Sequence, residues 1–155
     1  MISKLQQDNV WLYLDAGHSG WLGWPANITP AAQLFATVLQ GAGNNATVRG
    51  LATDVSNYNL LRGTEDPAQA PNPNYDEELY INALAPILTQ NNFPSQFIVD
   101  QGRSGVSGIR TAEGDWCNVK GIITFQSLWP WHSLIFSHRC GTWHAPNHRY
   151  RQRLD

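Results

Sequence analysis

Three short β-rich runs, separated by two stretches of helical periodicity, limit this 155-residue chain more than any other feature. Asn9–Asp15 (Asn-Val-Trp-Leu-Tyr-Leu-Asp) is an apolar run ending in a polar, glycine-containing turn, which predicts a buried strand. Thr29-Pro30 then reads as an N-cap followed by proline at the first helical position. Leu34, Phe35, Val38 and Leu39 recur at helical spacing through Ala31–Gly43. Val48–Val55 predicts a second strand, and the Pro-rich stretch Asp66–Asn74 a loop. Asp76, Glu77 and Glu78 open a second helix that runs to about Asn91, where early acids suit the helix dipole. Its apolar face is Tyr80, Ile81, Leu84, Ile87 and Leu88, and Pro86 is expected to bend or shorten it. Phe97–Asp100 predicts a third strand.

The resulting β-α-β-α-β order is that of a parallel sheet with right-handed crossovers. Three strands neither close a barrel nor cover both faces of their own sheet. The expectation is therefore an α/β chain forming a segment of a parallel (β/α) barrel.

Ligand sites in parallel α/β folds lie beyond the carboxyl ends of the strands. Here those ends are polar: Asp15-Ala-Gly-His18, then Thr53–Asn59, then Asp100-Gln-Gly-Arg103. The first continues through Trp21 and Trp24 to Pro25, placing an acid, an imidazole and two indoles among three glycines. Indole planes on such a loop suit the apolar C–H face of a pyranose. The alternative is that Trp21 and Trp24 pack into the rim and that His18 is a structural hydrogen bonder.

Charge excludes some partners. The net charge of −2 gives no electrostatic basis for binding nucleic acid or anionic lipid, and no apolar run approaches membrane-spanning length. Composition also breaks near Gly121. Residues 1–120 carry 11 acids and 6 bases, whereas 121–155 carry 1 acid and 4 bases together with four of the five histidines. His132, His138, Cys140, His144 and His148 could in principle hold zinc. Their spacing follows no finger pattern, and Arg139, Arg149, Arg151 and Arg153 would repel a cation, so no metal is expected. Cys117 and Cys140 permit one disulfide or none. Met1–Asn9 has no apolar core of a signal peptide. Two triplets, Asn27-Ile28-Thr29 and Asn45-Ala46-Thr47, are glycosylation acceptors if the chain is secreted.

The loop Asp15–Asn27 strongly resembles the corresponding loop of glycoside hydrolase family 6, the fungal cellobiohydrolases and related endoglucanases. The resemblance continues through Pro30–Phe35, Arg49–Thr53, Asn57-Tyr-Asn59, Tyr80–Pro86, Phe97–Gly105 and Gly114–Asn118, spanning roughly residues 5–121. It implies a distorted parallel (β/α) barrel hydrolysing β-1,4-glucan with inversion, with no cofactor. By the same resemblance Trp21, Trp24 and Trp116 look like sugar platforms on the leaving-group side, and His18 and Asn57 like substrate hydrogen bonders. Asp15 resembles a cleft-supporting carboxylate that is not the proton donor, and Arg103 an arginine that pairs with a downstream aspartate.

The resemblance further implies that the family's proton donor precedes the matched segment. A Lys-Pro-Gly-Gly-Glu-x-Asp loop carrying the candidate base follows that segment in the family, and nothing after Gly121 matches it. The expectation is a catalytic domain over 1–121 truncated at both ends. Residues 122–155 then form an unrelated, disordered tail of shifted-frame or intron origin, and Cys117 lacks its usual disulfide partner. Such a chain is expected to be a secreted, monomeric binder of cellulose or cello-oligosaccharides that is inactive alone. A non-catalytic glucan-binding protein and an inert fragment are the alternatives.

Overall fold

The computed structural model describes residues 1–65, 67–106, 108–112, 115 and 119. Its elements run α1 (Ile2–Leu5), β1 (Tyr13–Asp15), α2 (Pro25–Gly41), β2 (Gly50–Thr53), a short 3₁₀ turn (Pro67–Gln69), α3 (Glu77–Gln90) and β3 (Gln96–Val99). The three strands form one parallel sheet in the order β1-β2-β3. The expected β-α-β-α-β alternation is thus present, with two short helical turns added, α1 before it and the 3₁₀ turn between β2 and α3.

Register explains the core. Leu14 stands opposite Leu51, and Leu51 opposite Phe97, so the three share one face of the sheet. That face meets Ile28, Ala32 and Ala36 of α2 and Tyr80, Leu84 and Leu88 of α3 in a single apolar cluster. Each large side chain fully buried there stabilises the fold by about 1.5–3 kcal/mol. The two helices also pack on each other, with Phe35 of α2 and Phe93, just beyond α3, at a ring separation of 6.1 Å.

The largest departures from the sequence reading lie at the starts of β1 and α2. The first strand begins at Tyr13 rather than Asn9, and Trp11, expected in a buried strand, is 69% exposed with the Arg49 guanidinium 4.4 Å from its ring centroid. Helix α2 starts at Pro25, one turn before the Thr29-Pro30 signal. Pro25 supplies the same pre-set φ, the Asn27 and Ile28 amides bond the Trp24 carbonyl, and burying Ile28 rewards the extra turn. Pro30 is then interior and forgoes one backbone bond. Helix α3 runs through Pro86 to Gln90, close to its expected end, and the Asp76 carboxylate caps it by accepting the Leu79 N–H at 2.8 Å. No helix among the described residues is long and apolar enough to cross a membrane.

Candidate functional site

The carboxyl ends of β1, β2 and β3 converge because the strands are parallel and adjacent. The segments that follow them are stitched together by backbone. The Asp54 N–H donates to the Gly17 carbonyl at 2.8 Å, and the Asp100 N–H donates to the Thr53 carbonyl at 3.0 Å. The Ser56 N–H reaches the Asp100 carboxylate at 2.9 Å. Asp54 (φ 58°) and Ser56 (φ 60°) both adopt left-handed backbone. For residues with a side chain that conformation costs roughly 1–2 kcal/mol each, and these cross-links hold it in place.

Beneath this rim lies a buried polar network. The Glu77 carboxylate, at the first position of α3, accepts the Ser19 N–H at 2.8 Å and the Asn59 side-chain amide at 2.9 Å. The Asn59 amide also reaches the Ser19 hydroxyl at 2.9 Å and Nδ1 of His18 at 3.0 Å. Its carbonyl oxygen accepts from Gln69 at 2.9 Å. Asp54 takes the Asn59 N–H at 3.1 Å on one oxygen and the Ser104 hydroxyl at 3.0 Å on the other. Every side chain in this set is buried.

Burial decides the charge states. The loss of water around Asp54 pushes its carboxyl well above the usual range, with the neighbouring Glu77 adding to the effect. Glu77 is raised chiefly by burial, against which its hydrogen bonds work. His18 is lowered to about 4 by burial and by the positive charge of Arg110, so its imidazole is neutral at ordinary pH. That agrees with its bonding, because Nδ1 accepts the Gly20 N–H at 3.2 Å.

Those sequence-predicted residues that are described fall at this end of the sheet, at different depths. Asp15 is exposed, with one oxygen accepting the Gly17 N–H at 2.8 Å. Trp21 is 59% exposed, and its carbonyl is held by the Asn27 side chain at 2.8 Å. Trp24 is half-buried and donates its indole N–H to the Gly20 carbonyl at 2.9 Å. His18 and Asn57 are buried. Arg103 is buried too, donating to the Ser56 carbonyl at 3.0 Å with its guanidinium 5.5 Å from the Tyr58 ring centroid. Trp116 and Cys117, like the histidine cluster after Gly121, lie outside the described residues.

The sequence profile described as Glycosyl hydrolases family 6 matches residues 1–124. The chain belongs to glycoside hydrolase family 6. Exoglucanase 3 of Agaricus bisporus is 58% identical over 121 residues, which is 77% of this chain and 28% of that protein. Exoglucanase-6A of Humicola insolens is 53% identical over 122 residues, covering 77% and 26% respectively. Among solved structures, the Humicola insolens cellobiohydrolase II in complex with glucose and cellotetraose superposes with a TM-score of 0.73 at 51% identity, over 79% of this chain and 35% of that one. Cel6C of Coprinopsis cinerea, a family 6 enzyme, gives 0.75 at 48% identity, over 79% and 34%. The chain therefore spans about a quarter of the length of the curated relatives it matches. The resemblance carried by Asp15–Asn27 and the later motifs is borne out.

Within this family 6 segment, sequence reasoning missed the residues that build the floor: Asp54, Asn59, Gln69, Glu77 and Ser104. A signal for Glu77 existed. Glu77, Tyr80, Leu84 and Leu88 lie at helical spacing and are the buried residues of α3, so the acid continues the apolar stripe instead of facing water.

Proposed function

We propose that this chain is part of a secreted cellulose-degrading enzyme. In this reading it is a segment of a family 6 (β/α) barrel that carries leaving-side glucan-binding residues and does not hydrolyse β-1,4-glucan by itself. The observation that carries it is the exposed Trp21 indole, standing at the carboxyl edge of the sheet on a loop fixed from below by Glu77 and Asn27. An indole so held offers a flat apolar face to a glucose ring, and the exposed Asp15 offers the carboxylate oxygen that Gly17 leaves open to sugar hydroxyls. Trp24, Trp116, His18 and Asn57 complete the proposed glucan contacts, and Arg103 supports them. Residues 122–155 belong to no part of this scheme and are read as an unrelated tail.

Chemistry supports inactivity of the isolated segment. Inverting hydrolysis needs a protonated acid on the leaving oxygen and a base for water on the opposite face, typically ~6.5–9.5 Å apart. Among the described carboxyl groups at this end of the sheet, Asp15 is exposed, while Asp54, Glu77 and Asp100 are buried. A single open carboxylate, read here as cleft-supporting, does not make the required pair.

The test is titration of cello-oligosaccharides into the chain and its Trp21→Ala variant, alongside release of reducing sugar from soluble β-glucan. Binding weakened by on the order of 2 kcal/mol in the variant, with no hydrolysis by either protein, is expected. Equal affinity of the two proteins would reassign Trp21 as structural. Hydrolysis abolished by Asp15→Asn would show that the segment is a complete catalyst.

A further inference from the structure

We propose that Asn45 is the chain's N-glycosylation site and that the second acceptor triplet, at Asn27, stays unmodified. This inference rests on the reading of the chain as secreted, and goes beyond it by choosing between two triplets that the sequence alone presents as equivalent.

The two asparagines sit in opposite surroundings. Asn45 is exposed, in the turn between the end of α2 at Gly41 and the start of β2 at Gly50. That turn is closed by the Ala46 N–H on the Gly43 carbonyl at 2.9 Å. Among the described residues nothing holds the Asn45 carboxamide. Thr47 is also exposed, with its backbone N–H fixed by the Gln6 side chain at 2.9 Å, which leaves its hydroxyl on the surface. A glycan on Asn45 therefore displaces no contact of the fold.

Asn27 lies in the first turn of α2, and its carboxamide nitrogen is already bonded to the Trp21 carbonyl at 2.8 Å. The middle residue of its triplet, Ile28, is part of the apolar core. A glycan on that nitrogen would emerge at the Trp21 backbone carbonyl. The local sequence works against transfer as well. Pro30 directly follows Thr29, which biases Thr29 toward extended backbone and removes an N–H. Transfer needs the asparagine and threonine side chains brought toward each other, which that restriction opposes.

Position in the fold gives the choice a consequence. In a parallel sheet the segment leading into β2 and the loop leaving β1 lie at opposite ends. Asn45 precedes β2, and His18 and Trp21 follow β1. A glycan at Asn45 thus projects from the end remote from the proposed glucan-binding loop and leaves it open.

The modification is a glycosyl transfer from a polyprenyl-diphosphate-linked oligosaccharide. The Asn45 carboxamide nitrogen forms a bond to C1 of the reducing-end N-acetylglucosamine. The bond from C1 to the diphosphate oxygen breaks, the polyprenyl diphosphate leaves with the electron pair, and one amide proton passes to the transferase. No oxidant or reductant is needed.

The full chain, translated behind a secretion leader in the presence of glycosylating microsomes, tests this directly. Both readouts are taken on the denatured chain, so they survive a variant that folds poorly. Enzymatic glycan release in heavy-oxygen water marks each modified asparagine as a labelled aspartate in the mass spectrum. Label at Asn45 and none at Asn27 is expected, with the gel shift lost in Asn45→Gln and kept in Asn27→Gln. An unlabelled Asn45, or a labelled Asn27, overturns the proposal. The attached leader separates this result from the secretion reading, which fails instead if the native chain is found only inside the cells that make it.

Discussion

Glu77 accepts the backbone N–H of Ser19 at 2.8 Å across 58 residues of sequence, tying the start of α3 to the loop that carries His18 and Trp21. The same oxygen takes the Asn59 amide, so one buried carboxyl fastens the loops after β1 and β2 together. Glu77→Ala leaves two buried donors without that acceptor, at about 1–3 kcal/mol for each group. Glu77→Gln keeps an amide oxygen in the same place and is expected to lose less than half as much. Urea unfolding of the two variants checks the order. Equal losses would mean that the carboxyl oxygen is not what holds the loops.

Asp54 yields a prediction of sign. Its carboxyl is raised by burial and by Glu77, so the folded chain binds a proton more tightly than the unfolded one. The stability due to this proton is fully present below the unfolded carboxyl pKa and falls as pH climbs through the folded value. Asp54→Asn removes that dependence. An amide keeps an acceptor for the Asn59 N–H, the Ser104 hydroxyl can reverse its role, and asparagine tolerates the left-handed backbone. The variant should gain on the parent chain as pH is raised from 4 to 8, measured as the difference in urea midpoint. A difference that shrinks over that range would contradict the assignment.

His18 titrates the other way. Held at about 4 when folded against 6.5 when free, it binds fewer protons in the folded chain between those values. Its contribution rises with pH across that window, is complete above 6.5, and is lost as pH falls through about 4; the full shift corresponds to at most roughly 3 kcal/mol. His18→Gln should flatten the stability profile between pH 4 and 6.5 relative to the parent chain. An unchanged slope there would mean that the imidazole remains protonated in the fold.

How much of this was legible in the sequence depends on whether a local signal existed. Short β-rich apolar runs placed all three strands, and helical spacing placed both long helices, with Leu84 and Leu88 at the positions that period demands. The start of α2 was misplaced because Pro25 and Pro30 carry the same N-terminal signal, and only the burial of Ile28 decides between them. The rim residues Asp15, His18 and Trp21 were found because strand ends are where parallel sheets expose polar groups. The floor was not. Asp54, Asn59 and Ser104 read as turn residues until the loops after β2 and β3 are brought together, and their pairing spans up to 50 residues. Trp11 shows the converse error, an apolar residue in an apolar run that the short β1 leaves on the surface.

Gly17 links backbone conformation to the platform. It adopts φ 59°, and a Cβ there would stand 2.7 Å from the Trp21 indole carbon Cε3, so an added methyl group both strains the turn and pushes on the ring. Gly108 separates the two effects. Its φ of 67° is nearly the same, yet a Cβ there meets nothing within 4 Å. Gly108→Ala should therefore show the left-handed penalty alone, about 1–2 kcal/mol, while Gly17→Ala should lose more. Only Gly17→Ala should move the NMR signal of the Trp21 indole N–H and weaken cello-oligosaccharide binding, because only there does the new methyl group touch the ring. If both substitutions cost the same and the Trp21 signal stays in place, the indole does not rest on Gly17.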